Sequence, residues 1–415
     1  MSSVATAGLL SPENHRYVEL IRNLGRKGVL RVGGIVADYT RYEPRGTAKA
    51  ERQNTVITSV ELGQFNAFLE AIGWRAIWSV NFAQGSLEDA VAEARAVAKV
   101  LGPRLLALEL GNEVENYSHG DKPFRAHPYP YEAYRKQYSE WHAAIVKAVP
   151  GIRFAAPDTA SSITWVEDMA RDAKGDVQLL TTHYYREYQQ RGTAEQLVYP
   201  DPRLKDALVR LRTASEQSGI PWRMCETNSF SGGGRPGISD TFLGALWTLD
   251  FMLLLATYGC SGVNMETGVN QLGFISSYSP IGVDDKGRTI AGPSYYGMLA
   301  FAVAAAGCPE VLPVEFDAQG ANVTVYVLGA GGKARSAVVV NRDQMRDVRL
   351  SLKELGVKKG FGLRLAAAAA DSKTGITFGG SAVDEGGRWE ALSREPVASE
   401  AITVTRMSAV VLSLG

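Results

Sequence analysis

The chain has 415 residues and a mass of 44.8 kDa, with 44 basic and 44 acidic side chains. That length is too great for one small domain but suits a barrel with an appended unit. A formal charge of zero, with no clustered basic face, argues against nucleic acid as a partner. Apolar residues at 45% and charged residues at 21% exclude large-scale disorder.

Cys225, Cys260 and Cys308 are too few for a disulfide framework and lack zinc-ligand spacing, so three reduced thiols are expected. The longest apolar stretch, Phe251 to Val263, is interrupted by Gly259 and preceded by Asp250. It reads as a buried helix too short to span a membrane, and no membrane partner is expected. The first ten residues lack a basic region and a full apolar core, so no signal peptide is read in them. The compartment stays open, because a secreted or periplasmic protein would carry its signal upstream.

Helix and strand signals alternate along the first three hundred residues. Ser11-Pro12-Glu13 predicts a helix start, and Tyr17, Leu20, Ile21 and Leu24 follow at helical spacing. Val29–Val32 reads as a strand, Phe65, Phe68, Leu69 and Ile72 as a helix, and Arg75–Val80 as a strand. Ser86, with Asp89 three residues on, caps a third helix. Further strands are expected near Leu105–Leu110, Arg153–Ala156, Gln178–Thr182, Trp222–Glu226 and Gly262–Met265. Helices are expected near 131–148, 162–173, 203–218, 238–257 and 294–307. Eight helices and seven buried strands predict a (β/α)8 barrel over residues 1–307. The series opens on a helix, so the first barrel strand is expected to be missing, upstream of residue 1. From 308 to 415 short β-branched runs separated by Gly, Asn and Asp predict a β-sandwich.

Active groups of such a barrel lie at the C-terminal strand ends. Two strands there end in carboxylates: Leu105 to Leu110 leads into Gly111-Asn112-Glu113, and Trp222 to Cys225 into Glu226-Thr227-Asn228. Their separation puts Glu113 and Glu226 about half a barrel apart, facing across the mouth. Two opposed carboxyls suit glycosidic bond cleavage: one donates a proton to the leaving oxygen, the other attacks the anomeric carbon or activates water. A gap of about 5–5.5 Å means retention, and about 6.5–9.5 Å means inversion. The five histidines show no metal-ligand spacing and no phosphate loop is present, so neither metal nor cofactor is implied.

Gly111-Asn112-Glu113 with a later strand-end Glu resembles the clan A glycoside hydrolases. Leu30 to Asp38, Thr182-His183-Tyr184-Tyr185, Glu226-Thr227-Asn228-Ser229 and Ser277-Tyr278-Ser279-Pro280-Ile281 narrow the resemblance to glycoside hydrolase family 79, the β-glucuronidases and heparanases. The resemblance implies a carbohydrate substrate bearing glucuronate, with Glu113 as acid/base and Glu226 as nucleophile. It places Asn112 on the sugar 2-hydroxyl and Asp38 on other sugar hydroxyls. His183 and Tyr185, two apart on a strand, share a face, and Tyr185 is placed to donate to Glu226, with Tyr184 as the competitor should the strand phase be shifted. Gly232, Gly233 and the Tyr278 hydroxyl are expected to meet the uronate carboxylate, and Glu266 to support the mouth. Family members begin with a further strand, absent here. The leading expectation is a retaining β-glucuronidase acting on terminal residues. The alternatives are a heparanase-like endo-enzyme, for which Arg41, Arg45, Lys49 and Arg52 offer a modest cationic group, and a non-catalytic carbohydrate-binding protein with a truncated barrel.

Overall fold

The computed structural model describes residues 1–121, 123–173, 175–268, 272, 276–284, 286–352, 360–397 and 401–414. Seven parallel strands form one sheet in chain order: β1 Val29–Val32, β2 Arg75–Val80, β3 Leu105–Leu110, β4 Phe154–Thr159, β5 Leu179–Tyr188, β6 Trp222–Ser231 and β7 Val263–Met265. The sheet curls into a nearly closed barrel. β1 and β7 face each other across the remaining seam, where Asn264 Nδ2 donates to the Val29 carbonyl at 2.9 Å. Among the described residues, the sheet holds these seven strands.

Eight longer helices accompany the strands: α1 His15–Asn23, α2 Ser59–Ile72, α3 Leu87–Leu101, α4 Tyr131–Ala148, α5 Ile163–Asp172, α6 Pro202–Ser218, α7 Phe242–Thr257 and α8 Pro293–Ala305. Side chains at helical spacing are the buried ones; Phe65, Phe68, Leu69 and Ile72 of α2 are closed off from water. Thr58 and Glu61 form a capping box at its start, and Ser86 Oγ accepts the Asp89 amide of α3 at 3.1 Å. The first helix starts later than Ser11 predicts. Ser11 Oγ accepts the Glu13 amide in a local turn, which competes with helix entry, and Asn14 caps α1 through the Tyr17 amide. Among the described residues, no helix is long and apolar enough to cross a membrane.

The C-terminal region is antiparallel. Strands Glu310–Leu312, Val323–Ala330, Lys333–Asn341, Ser408–Leu414, Gly360–Ala366 and Thr377–Phe378 lie side by side in that order, and Glu395–Pro396 also pairs with Gly360–Ala366. Val348–Ser351 and Ala401–Val404 form a separate two-stranded ribbon. Ala401–Val404 and Ser408–Leu414 are separate strands, divided where Met407 adopts φ +48°. The large sheet buries both faces with a period of two. Val338, Val340 and Val411 join the barrel core, against α7 and α8, while Val339, Val410 and Leu412 pack with Ile402 and Val404 of the ribbon.

A polar weld crosses the junction. Asp250 on α7 accepts from Tyr326 Oη at 2.9 Å, from Thr324 Oγ1, and from Arg342 Nη2 at 2.7 Å. Arg342 also donates to the Leu197 carbonyl at 2.9 Å. Truncating one partner of a buried ion pair leaves a charge without compensation. Asp250→Ala is therefore expected to destabilise the protein by about 3–5 kcal/mol, measured by urea unfolding; a loss below about 1 kcal/mol would mean the junction rests on apolar contact alone.

Candidate active site

The barrel mouth opens into a cavity of about 1400 Å³ whose lining includes Asn112, Glu113, His183, Tyr185, Glu226 and Tyr278. Local irregularities in the strands aim these groups. After β3, Gly111 turns at φ +87°, where a Cβ would come within 2.3 Å of Tyr117 Oη, so glycine alone fits. Glu113 follows at φ +50°, and its amide donates to the Asp158 carbonyl at 2.8 Å. The β4–β5 register slips between Pro157 and Thr159, leaving Asp158 as an extra residue at φ +61°. The β5–β6 register slips between Thr182 and His183, which brings His183 opposite Glu226. Bulges of this kind redirect side chains next to active sites.

Glu113 and Glu226 meet across the mouth: one oxygen of each lies within 4.8 Å of the other and of a His183 ring nitrogen. Tyr185 Oη donates to Glu226 Oε1 at 2.8 Å, which fixes the strand phase. Tyr184 points the other way, with its hydroxyl on Asp201 Oδ2 at 3.0 Å and its ring stacked on Phe251.

Beneath them lies a cluster centred on Arg31, whose side chain is 4% exposed. Its Nη1 donates to Glu226 Oε2 at 2.8 Å, its Nε to Glu109 Oε2 at 2.7 Å, and its Nη2 to Asn112 Oδ1 at 2.9 Å and to Asp158 Oδ2. Burial works against the guanidinium charge, but Asp158, Glu109 and Glu226 outweigh it and raise its proton affinity. Glu109, also held by Ser79 Oγ at 2.8 Å, is pushed by burial to about 7 against the pull of Arg31. Burial also disfavours the Asp158 charge, yet Arg31 and His183 hold its carboxyl below the usual range. His183 is held by carboxylates on both sides: Nε2 faces Asp158 Oδ1 at 2.8 Å and Nδ1 faces Glu113 Oε1 at 3.2 Å. Burial would favour its neutral ring, but Asp158 and Glu226 raise its proton affinity well above the ordinary value.

The other expected residues fall at different depths. Asn112 is buried with its carbonyl oxygen fixed by Arg31. Asp38 lies behind it: the Tyr117 hydroxyl donates to Asp38 Oδ1 at 2.6 Å and accepts the Asn112 amide at 3.2 Å. Burial raises the Asp38 carboxyl well above its ordinary value. Gly232, Gly233 and Gly234 take φ of +83°, +100° and +78°, a run that side chains would strain, and Gly232 and Gly233 line the cavity. The Gly233 carbonyl accepts from Ser277 N at 2.7 Å and Ser277 Oγ at 3.0 Å, which ties this loop to Tyr278. The Tyr278 ring stacks on Tyr185 at 6.3 Å. Glu266 lies beside Tyr278; burial first, then the Glu226 charge, pushes it to about 7.

Arg31, Glu109 and Asp158 escaped the sequence reading as site residues. Each carried a signal: a charge inside an otherwise apolar strand or at its C-terminal end, where burial demands a partner. Two groups offer three metal-ligand atoms each, Glu113 with His183 and Glu226, and the buried Glu109 with Asp158 and Cys225. In both, Arg31 already engages carboxylates.

No family model matches the chain. Over 374 residues it is 28% identical to a curated β-glucuronidase of Aspergillus niger, covering 76% of this chain and 65% of that protein. It is 27% identical over 343 residues to a β-glucuronidase of Neurospora crassa, covering 71% and 60%. The chain thus spans less than two thirds of the length of these curated relatives. Among solved structures, a 4-O-α-L-rhamnosyl-β-D-glucuronidase from Fusarium oxysporum superposes with a TM-score of 0.81 at 19% identity, over 95% of this chain and 91% of that one. An α-L-arabinofuranosidase from Thermotoga maritima superposes at 0.70 with 13% identity, over 99% and 92%. The fold is that of the TIM-barrel glycosidases. Within that class the sequence is similar to β-glucuronidases, and these relatives bear out the resemblance read from the motifs.

Glu266 supplies a test of the site's electrostatics. Its folded proton affinity exceeds the unfolded one, so the stability it adds is complete below about pH 4.5 and is lost as pH rises through about 7. Glu266→Gln is expected to match the parent in thermal midpoint near about pH 5 and to exceed it near about pH 8. Equal midpoints at both would place Glu266 in water.

Proposed function

We propose that the chain is a retaining β-glucuronidase of glycoside hydrolase family 79, releasing terminal β-D-glucuronate from glycans or glucuronides. The observation that carries this reading is the approach of Glu113 and Glu226 to within 4.8 Å across the barrel mouth. That spacing matches direct attack rather than an intervening water. The similarity to curated β-glucuronidases supports the choice of sugar.

Glu113 gives its proton to the glycosidic oxygen as the C1–O bond breaks, and Glu226 forms an ester bond to C1. Water then attacks C1, Glu113 takes its proton, and the ester bond breaks to return Glu226 as a carboxylate. Tyr185 and Arg31 each hold one Glu226 oxygen, which orients the attack. Asn112, its oxygen taken by Arg31, turns its amide nitrogen toward the 2-hydroxyl, a bond that tightens as the oxocarbenium ion develops. Backbone N–H groups of Gly232 and Gly233 and the Tyr278 hydroxyl receive the uronate carboxylate. Glu266 holds a proton near neutrality and so does not repel it.

The endo-acting reading asks for cations free to meet sulfates. Arg41 is engaged by Glu43 at 3.1 Å and Asn54 at 3.0 Å, and Lys49 by Glu51 at 3.0 Å, so two of that group's four cations are already paired. A binding-only protein would have no use for the Tyr185 and Arg31 contacts that orient Glu226.

Release of p-nitrophenol from the β-glucuronide but not the β-glucoside is the expected outcome, and equal rates on both would remove the uronate assignment. Glu113→Ala is expected to lose about 10²–10⁴-fold on poor leaving groups, much less on good ones, and to regain turnover with azide. Glu226→Ala should fail on both. Tyr185→Phe should lower kcat by about 10- to 100-fold, the worth of a hydrogen bond to a charged acceptor.

A further inference from the structure

We propose that Asp158 and His183 form a carboxylate–imidazole pair that positions Glu113 and sets how tightly it holds its proton, and that Arg31 ties this pair to Glu226. The proposal rests on the acid/base and nucleophile roles given above to Glu113 and Glu226. A continuous path of polar contacts links the two glutamates: Glu226 Oε2 to Arg31 Nη1 at 2.8 Å, Arg31 Nη2 to Asp158 Oδ2, Asp158 Oδ1 to His183 Nε2 at 2.8 Å, and His183 Nδ1 to Glu113 Oε1 at 3.2 Å.

Asp158 holds Glu113 twice, through the imidazole and through its own carbonyl, which accepts the Glu113 amide at 2.8 Å. Its backbone is left-handed at φ +61°, a conformation that a non-glycine residue keeps where its surroundings enforce it. The bulge that creates this conformation is what allows one residue to reach Arg31, His183 and Glu113 together. The Asp158 and His183 side chains are closed to water, whereas Glu113 is 32% exposed. The pair therefore grips Glu113 from its dry side and leaves Oε2 for the substrate.

A carboxylate on Nε2 keeps a proton there and leaves Nδ1 to face Glu113. With a second ring proton on Nδ1, the imidazolium donates to Glu113 Oε1, and the acid proton of Glu113 sits on Oε2. The charged groups around the ring are Asp158 on β4, Glu113 and Glu109 from β3, Glu226 on β6 and Arg31 on β1. When Glu226 becomes an ester, one negative charge leaves this set. Arg31 then acts only on Asp158 and Glu109, and Glu113 holds a proton on Oε2 less tightly. That change favours Glu113 as a base at the step where water must lose its proton. The proton given to the leaving group in the first step is the one replaced from water in the second, so the pair is unchanged over a cycle.

The test compares the parent with Asp158→Asn and His183→Gln. In ¹⁵N-histidine NMR, the His183 signals, assigned by their loss in His183→Gln, are expected to show a ring that stays protonated at Nε2 between about pH 5 and pH 8. In Asp158→Asn the His183 titration is expected to move down by about one pH unit or more. Kinetically, both variants should lose about 100-fold in kcat on poor leaving groups, less than about tenfold on good ones, with KM within about threefold. The alkaline limb of the rate profile should shift to lower pH. An unmoved His183 titration in Asp158→Asn, or equal losses on both leaving groups, overturns the proposal. Should Asp158→Asn not fold, His183→Gln carries the leaving-group comparison and Arg31→Lys the titration. Absence of glucuronidase activity in the parent would instead sink the assigned activity, while the NMR titration would still decide the pairing.

Discussion

A buried guanidinium organises this barrel mouth. Arg31 rises from the middle of a four-residue strand into a space where water cannot solvate it, so its charge has to be met by protein oxygens. Glu109, Asp158 and Glu226 come from three other strands to do so. Each of those strands is thereby held in angle and depth, and the oxygen that faces the cavity inherits that precision. The cluster is less a stabiliser than a jig, since an apolar core of the same volume would hold the strands as firmly but would aim nothing.

Regular strands would not have assembled it. A parallel barrel strand alternates its side chains inward and outward, and neighbours stay in step. The slips at Asp158 and before His183 break that step where three polar groups must point into one small volume. Asp158 and Glu113, both in left-handed backbone, sit on either side of a single amide-to-carbonyl bond. The strain is concentrated where the chemistry is placed, and the surrounding barrel core of Trp78, Phe82, Phe154 and Trp222 provides the rigid frame that tolerates it.

The sequence made the frame easy to read. Val29–Val32, Arg75–Val80 and Leu105–Leu110 are short apolar runs between amphipathic helices, and period alone identifies them. Glu113 and Glu226 stood out because each ends such a run, and they do face each other across the mouth. Depth was not legible. Asp38 and Asn112 look alike as polar residues after a strand, yet Asp38 is screened by Tyr117, a contact formed across 79 positions of chain. Tyr184 and Tyr185 differ only by strand phase, which a bulge two residues earlier resets and which no periodicity reveals. Arg31 was visible as a letter but not as a hub, because its partners lie on strands that only the closed barrel brings together. The late start of α1 was hidden for a local reason: Ser11 had a nearer amide to satisfy than the one a helix would offer.

The glycine run after β6 bears on how such a pocket can change. Three consecutive residues in left-handed backbone admit no side chain without distortion, so this stretch of wall is made of main chain alone. Point mutation cannot retune it by adding or removing a functional group. Any change in what the pocket accepts must come through the residues that frame the loop, such as Gln189 and Tyr188, against which a Gly232 Cβ would press. Divergence among chains of this architecture is therefore channelled into the rim, while the loop itself stays as a fixed template of amides.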